Sequence, residues 1–292
     1  MTAWREAAAC FGPGGGLIGI HTRPQGEDAT RPSVLFINAG ILHRVGPNRM
    51  HVELARLLAE RGHRVLRFDL AGIGDSAARS DGLLLGEGVR RDVDAALAEL
   101  RLDGPRAVVV VGLCSGADNA LRAAARDPEV VGAVLMDPTV FRTAEWYLHR
   151  GAEHLSRPGR LPALLDHPRI ARALARLRGG TAESAEAEGR PEFFYTGYRT
   201  REEVEAALQR VLARRVQLFY AFTGGWADIY NYETQLLDNH PGLPFRGALR
   251  LRWYPEADHT YTRRALRERF FKDLLAWFHS APFPREEPHE RR

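Results

Sequence analysis

Lysine is nearly absent from this chain: of its 41 lysines and arginines, Lys272 alone is a lysine. The arginines are interspersed with 37 acidic residues and the net charge is only +4. No basic stripe for a phosphate backbone emerges, so no nucleic-acid partner is expected. Cysteine is almost as scarce. Cys10 and Cys114 cannot build a disulfide framework, and neither stands at metal-ligand spacing from another candidate ligand. No metal and no cofactor is therefore expected. The run "GPGGG" (12–16) precedes its strand instead of leading from a strand into a helix, which argues against a dinucleotide fingerprint. No apolar run approaches the roughly 20 residues of a membrane span. The opening "MTAWREAAAC" lacks the basic segment and apolar core of a secretory signal, so the expected location is the cytoplasm. No internal repeat is visible.

What is present is the material of an ordinary globular protein: 292 residues, 45% hydrophobic and 27% charged, enough to bury a large core. Apolar, β-rich runs alternate with helical patterns, the mark of a mainly parallel sheet covered by helices. "EAAACFG" and "GLIGIHTRP" read as an opening strand pair, in which the alternation places Cys10 in the core. "SVLFINAG" is the next strand. In "NRMHVELARLLAERG", Met50, Leu54, Leu57 and Leu58 share one helix face and Gly62 ends the helix. "HRVLRFDLAG" is a strand, "GEGVRRDVDAALAELR" a helix, and "RAVVVVG" a strand that runs into the turn "LCSGA" and the helix "ADNALRAAARD".

After the strand "VVGAVLMDP" the alternation lapses. Residues 141–199 hold helical patches, an acidic Gly/Ala/Ser stretch and an aromatic one, and read as an inserted lid with a mobile middle. The pattern resumes at about residue 200 with the helix "TREEVEAALQRVLARR", the strands "VQLFYAFTGG" and "ALRLRWYPEAD", and a last helix carrying Phe271, Leu274, Leu275 and Phe278. The expected organisation is a core of residues 1–140 and 200–280, a lid of 141–199 and a polar tail of 281–292.

Cys114 and Ser115 compete for the turn after the fifth strand. A sharp strand-to-helix elbow lifts one side chain out of the sheet and tolerates only small residues two places before and after it. With Cys114 at the tip the flanks are Gly112 and Gly116; with Ser115 they become Leu113 and Ala117. The frame G-x-C-x-G assigns the tip to Cys114. Ser115 then offers its backbone N–H to a developing oxyanion while its side chain is free for substrate or capping.

The strand and turn "VVVVGLCSGA", the upstream "VLFINAG" and "RFDLAGIGDS", and the downstream "YPEADHTYTRR" together resemble the α/β-hydrolase superfamily, in the correct order. More narrowly, "NAGILHRVGPNR" with "GLCSGA" is similar to bacterial serine-aminopeptidase-like and exosortase-system-associated hydrolases. The resemblance implies an α/β-hydrolase fold: a mainly parallel sheet flanked by helices, with a helical lid after the strand that follows the elbow. It also implies partners for Cys114. "EADHTY" places His259 where the superfamily carries its base, with His43 and His63 as second choices and His21 set in a strand. The acid is either Asp228, spaced from Gly225 as G-x-x-D, or Asp137 at the end of the strand after the elbow. Asp258 would point away from its neighbour, and Asp69 is expected to fix the loop around Gly72 and Gly74. The oxyanion donors implied are the N–H groups of Ser115 and of either Gly40 or Ile41, because "NAG" replaces the family's His-Gly pair.

His43, Arg44 and Arg49 fall near the expected pocket mouth, where they could hold an anionic part of a substrate. Trp146, Tyr147, Phe193, Phe194 and Tyr195 of the lid would suit an apolar acyl chain or ring, or pack the lid itself. A cysteine nucleophile forms a thioester with the acyl group, level in energy with an incoming acyl thioester and open to amines as well as to water. The expected function is hydrolysis or transfer of an acyl group from an ester or thioester through a Cys-His-Asp triad. The expected partner is a small acyl substrate, free or borne by an acyl or peptidyl carrier protein. Lactone hydrolysis of the dienelactone-hydrolase kind, which also uses G-x-C-x-G, is the alternative within enzymes; a non-catalytic binding or scaffold protein of the same fold is the alternative outside them.

Overall fold

The computed structural model describes residues 3–26, 30–155 and 197–284. Its eight strands are β1 (Trp4–Phe11), β2 (Leu17–Pro24), β3 (Ser33–Ile37), β4 (Val65–Phe68), β5 (Val108–Leu113), β6 (Val130–Met136), β7 (Gln217–Thr223) and β8 (Leu249–Tyr254). They form one sheet in the order β1-β2-β4-β3-β5-β6-β7-β8. The first two strands make an antiparallel hairpin that joins β4 antiparallel, and the other six run parallel. This is an α/β-hydrolase fold.

Strand periodicity explains both faces of the sheet, since alternate side chains point to opposite sides. Val109 and Val111 of β5, Val34 and Phe36 of β3, and Phe219 and Ala221 of β7 face one layer. There they pack against helices α1 (Met50–Ala59) and the last helix, Arg264–Ser280. Val108 and Val110, Leu35 and Ile37, and Leu218, Tyr220 and Phe222 face the other layer. That layer is built by α2 (Leu85–Arg101), α3 (Ser115–Arg126) and α5 (Arg201–Ala213). Between β6 and α5 lies α4 (Ala144–Leu155), capped by the Thr143 hydroxyl, which accepts the Trp146 N–H at 3.1 Å. A short α6 (Gln235–Asn239) follows β7, and the last helix is thus α7.

The lid expected over 141–199 enters the description only at its two ends: residues 156–196, with Phe193, Phe194 and Tyr195, lie outside the described residues. Of the expected tail, 285–292 lie outside as well, while Phe283 packs edge-on against Trp277 at 5.3 Å. Cys10 is exposed and is not a core residue. Strand β1 is the edge of the sheet, and alternation in a strand says nothing about whether a helix covers the face that it defines. No helix among the described residues is long and apolar enough to cross a membrane.

Candidate active site

The C-terminal ends of β5, β6, β7 and β8 converge on one point, and the local backbone explains why. Cys114 ends β5 with φ 57° and ψ −126°, a conformation rarely adopted by an L-residue. Its N–H donates to the Met136 carbonyl at 2.8 Å, which fixes the turn against β6. A Cβ on Gly112 would collide with the Gly116 carbonyl, and one on Gly116 with the Asn38 carbonyl. Both glycines are therefore steric requirements of the elbow. The half-buried thiol stands at the tip, at the N-terminus of α3.

His259, in the loop between β8 and α7, hydrogen-bonds to Asp137 and has the Cys114 thiol as its other polar neighbour. The Nδ1 to Oδ2 distance is 2.7 Å, which leaves Nε2 for the sulfur. Asp137 is fully buried and follows β6 directly. Its Oδ1 accepts the Thr223 N–H at 2.8 Å, and its Oδ2 accepts the Thr223 hydroxyl at 2.7 Å besides His259. Burial pushes the Asp137 carboxyl up from its ordinary value, and these donors oppose the push. Burial likewise disfavours a charged His259, but the hydrogen bonds to Asp137 and Cys114 outweigh it and raise the imidazole to about 9.

Of the two candidate acids, the structure brings Asp137 and not Asp228 to His259. The side chain of Asp228 is 79% exposed and paired with Arg150 at 2.8 Å. The reason is local: "GGW" closes a 3-10 turn at Gly224–Trp226, so the segment that spaces Gly225 from Asp228 delivers Trp226 inward instead. The Trp226 ring stacks on the His259 ring with centroids 4.4 Å apart and planes 15° apart. A Cβ on Gly225 would strike the His259 N–H, so the glycine is needed for this close approach. Neither Thr223 nor Trp226 stood out in the sequence, although both flank the glycine pair that did. Asp258 turns away and accepts the N–H groups of Thr260 and Thr262, shaping the histidine loop.

The oxyanion side also differs from expectation. The Gly40 N–H is already donated to Ser115 Oγ at 2.9 Å, so the Ser115 side chain is not free and the Gly40 N–H is not open. Among the described residues the N–H groups of Ser115 and Ile41 have no protein acceptor. In α3 this follows from geometry, because only Ala117 and Asp118 reach back to the Cys114 carbonyl.

Arg44 is consumed by an internal network rather than held ready for a substrate anion. Its guanidinium pairs with Asp69 and, at 2.7 Å, with Asp75, and its N–H donates to Asp69 at 2.6 Å. His43 lies in the same network, its Nε2 2.8 Å from Arg44. His43, Asp69 and Asp75 bring ligand-type atoms within 4.8 Å of one another, but the cation among them is Arg44. Asp69 also accepts the Asp75 N–H at 3.2 Å, holding the Gly72 to Gly74 loop. His63 is buried with Nδ1 against the Pro32 carbonyl at 2.8 Å, and His21 pairs with Glu99 at 3.0 Å; neither joins the site. Trp146 is buried, with Nε1 donating to the Ala227 carbonyl at 3.3 Å, so it braces the loop that carries Trp226. Tyr147 is exposed on the outer side of α4. A cleft of about 560 Å³ lined by Leu57, Arg61, Phe271 and Lys272 lies between α1 and α7, and none of the site residues lines it.

Residues 32–250 match a protein family described as alpha/beta hydrolase fold. No curated protein matches the chain. Among solved structures, a putative dienelactone hydrolase from Klebsiella pneumoniae aligns with 14% identity over 95% of this chain and 99% of its own, with a TM-score of 0.59. An esterase from Pyrococcus furiosus aligns with 12% identity over 95% and 90%, with a TM-score of 0.56. The thioesterase domain of the curacin biosynthetic pathway aligns with 16% identity over 95% and 100%, with a TM-score of 0.54. At these identities the likeness is one of fold.

Proposed function

The chain belongs to the α/β-hydrolase fold family, and from that premise we propose that it cleaves or transfers an acyl group from an ester or thioester, with Cys114 as nucleophile, His259 as base and Asp137 as the orienting acid. The observation that carries this reading is the convergence on His259 of the elbow thiol of Cys114 on one side and the hydrogen-bonded, buried Asp137 carboxylate on the other.

Each group has a task that its surroundings explain. Asp137, saturated by donors, fixes the Nδ1–H tautomer and the plane of the ring. The Asp137 carboxylate stabilises the protonated ring, so the neutral imidazole beside it is a base strong enough to take a proton from a thiol. The sulfur attacks the carbonyl carbon as its proton moves to Nε2, and the carbonyl oxygen becomes an oxyanion facing the N–H groups of Ser115 and Ile41. Collapse expels the alcohol or thiol, which takes the proton back from Nε2, and leaves an S-acyl enzyme. Water or an amine then attacks; His259 removes its proton, and the Cys114 sulfur departs. Trp226 covers one face of the imidazole and favours its charged form.

Intact-mass analysis after incubation with a generic acyl thioester tests the assignment. The reading expects one acyl adduct, lost in Cys114→Ala and kept in Ser115→Ala. An adduct that persists in Cys114→Ala refutes it.

A further inference from the structure

The Ser115 side chain has no part in the steps above, yet it sits where the two halves of the oxyanion site meet. It is buried at 3% exposure, one residue after the nucleophile, and its Oγ accepts the Gly40 N–H at 2.9 Å. A serine hydroxyl has one hydrogen to give and two lone pairs to offer. Gly40 occupies one lone pair. Among the described residues no acceptor receives the hydrogen, although leaving a buried donor unmet costs about 1–3 kcal/mol.

Backbone donors surround this hydroxyl. On one side is the Ser115 N–H, which opens α3 without an acceptor; on the other is the loop of Ala39 to Leu42 that carries the Ile41 N–H. That loop cannot drift from the elbow. Asn38 donates to the Leu42 carbonyl at 2.6 Å, Asp69 holds the Arg44 N–H at 2.6 Å, and Gly40 is tied to Ser115 itself. An O–H that accepts from an amide is polarised and becomes a better donor.

We propose that the Ser115 hydroxyl is a catalytic residue: a third oxyanion donor whose hydrogen turns to the tetrahedral oxygen formed when Cys114 attacks. Gly40 holds the oxygen of that hydroxyl and passes its own polarity through it. No covalent bond changes at Ser115; the hydrogen stays on Oγ throughout. The inference rests on the acyl-cysteine reading above. It makes the amide that the elbow blocks a contributor to the oxyanion site at one remove.

The test compares Ser115→Ala, Ser115→Thr and Ser115→Cys with the wild-type enzyme on one acyl thioester, alongside alkylation of Cys114 by iodoacetamide, a reaction that forms no oxyanion. Ser115→Ala is expected to lose roughly 10–100-fold in kcat with KM changed by less than about twofold. Its alkylation rate stays at the wild-type level. Infrared spectra of the carbon-13-labelled acyl enzyme should show the carbonyl stretch at higher frequency in Ser115→Ala, since a donor is gone. Ser115→Thr restores turnover and the lower frequency, and Ser115→Cys, a weaker donor of similar size, falls between. An unchanged kcat in Ser115→Ala overturns the proposal, as does a parallel loss of turnover and alkylation with no carbonyl shift. If wild-type Cys114 is never acylated, the underlying reading fails instead; if it is acylated and Ser115→Ala turns over equally well, only the third donor fails.

Discussion

Asp137→Asn separates the two candidate acids and probes the base directly. Every partner of the Asp137 carboxylate is a donor: the Thr223 N–H at 2.8 Å, the Thr223 hydroxyl at 2.7 Å and His259 Nδ1 at 2.7 Å. An asparagine that keeps its oxygen on the Thr223 N–H must present its NH2 to the other two. Threonine can rotate and accept. His259 can accept at Nδ1 only by moving its proton to Nε2, the nitrogen that must take the proton from Cys114. Loss of the carboxylate charge adds to the tautomer fault. Asp137 supplies the largest upward pull on His259, so its loss is worth up to roughly 3 kcal/mol, or as much as a few-hundredfold in rate. The expected outcome is a loss of about 100-fold to 1,000-fold in the acylation rate, followed by stopped-flow release of the leaving group. Asp228→Asn breaks only a solvent-exposed pair with Arg150 and should stay within about twofold of wild type. Equal rates for wild type and Asp137→Asn, or a larger loss in Asp228→Asn, would refute the reasoning.

Two further outcomes follow from the same geometry. Gly112→Ala places a methyl group against the Gly116 carbonyl at the base of the elbow, and should cost about 3 kcal/mol or more of stability or prevent soluble expression; a denaturant midpoint close to that of wild type refutes the steric argument. The raised pKa of His259 predicts a pH-dependent contribution to stability, because the folded state holds its proton more tightly than the unfolded chain. That contribution, about 3 kcal/mol at most, is complete below pH 6.5 and lost as pH rises through about 9, so the stability gap between wild type and His259→Gln should narrow over that window. Denaturant unfolding at a series of pH values measures it, and a gap that widens with pH contradicts the assignment.

The elbow was legible in the sequence because its requirement is local: two glycines at fixed offsets from Cys114 are all that the backbone crossing demands. The strands of the sheet were legible for a similar reason, since each buried parallel strand is a short continuous apolar run. The acid was not. Asp137 and Asp228 follow neighbouring strands, β6 and β7, and spacing alone cannot say which carboxylate turns beneath the histidine. That choice is made by Thr223 and by the 3-10 turn that sends Trp226 inward. Cys10 and Arg44 were misplaced for the complementary reason. Whether an edge strand is covered, or an arginine is neutralised by Asp69 from a distant loop, depends on contacts between segments that no single stretch reveals.

The stack of Trp226 on His259 carries a consequence for how this scaffold can be recombined. Trp226 is held by a loop that is itself clasped by α4 and the residues just before it, through Trp146 to Ala227 at 3.3 Å, Asn231 to the Trp146 carbonyl at 3.0 Å and Arg142 to the Asp228 carbonyl at 2.9 Å. Helix α4 thus reaches the His259 ring through one intervening aromatic. A chimera that swaps α4 without residues 224–231 would import a foreign clasp and change the stack on His259 with Cys114, His259 and Asp137 themselves untouched. Residues 142–150 and 224–231 form one contact unit from two segments separated in the chain, so they should be moved together.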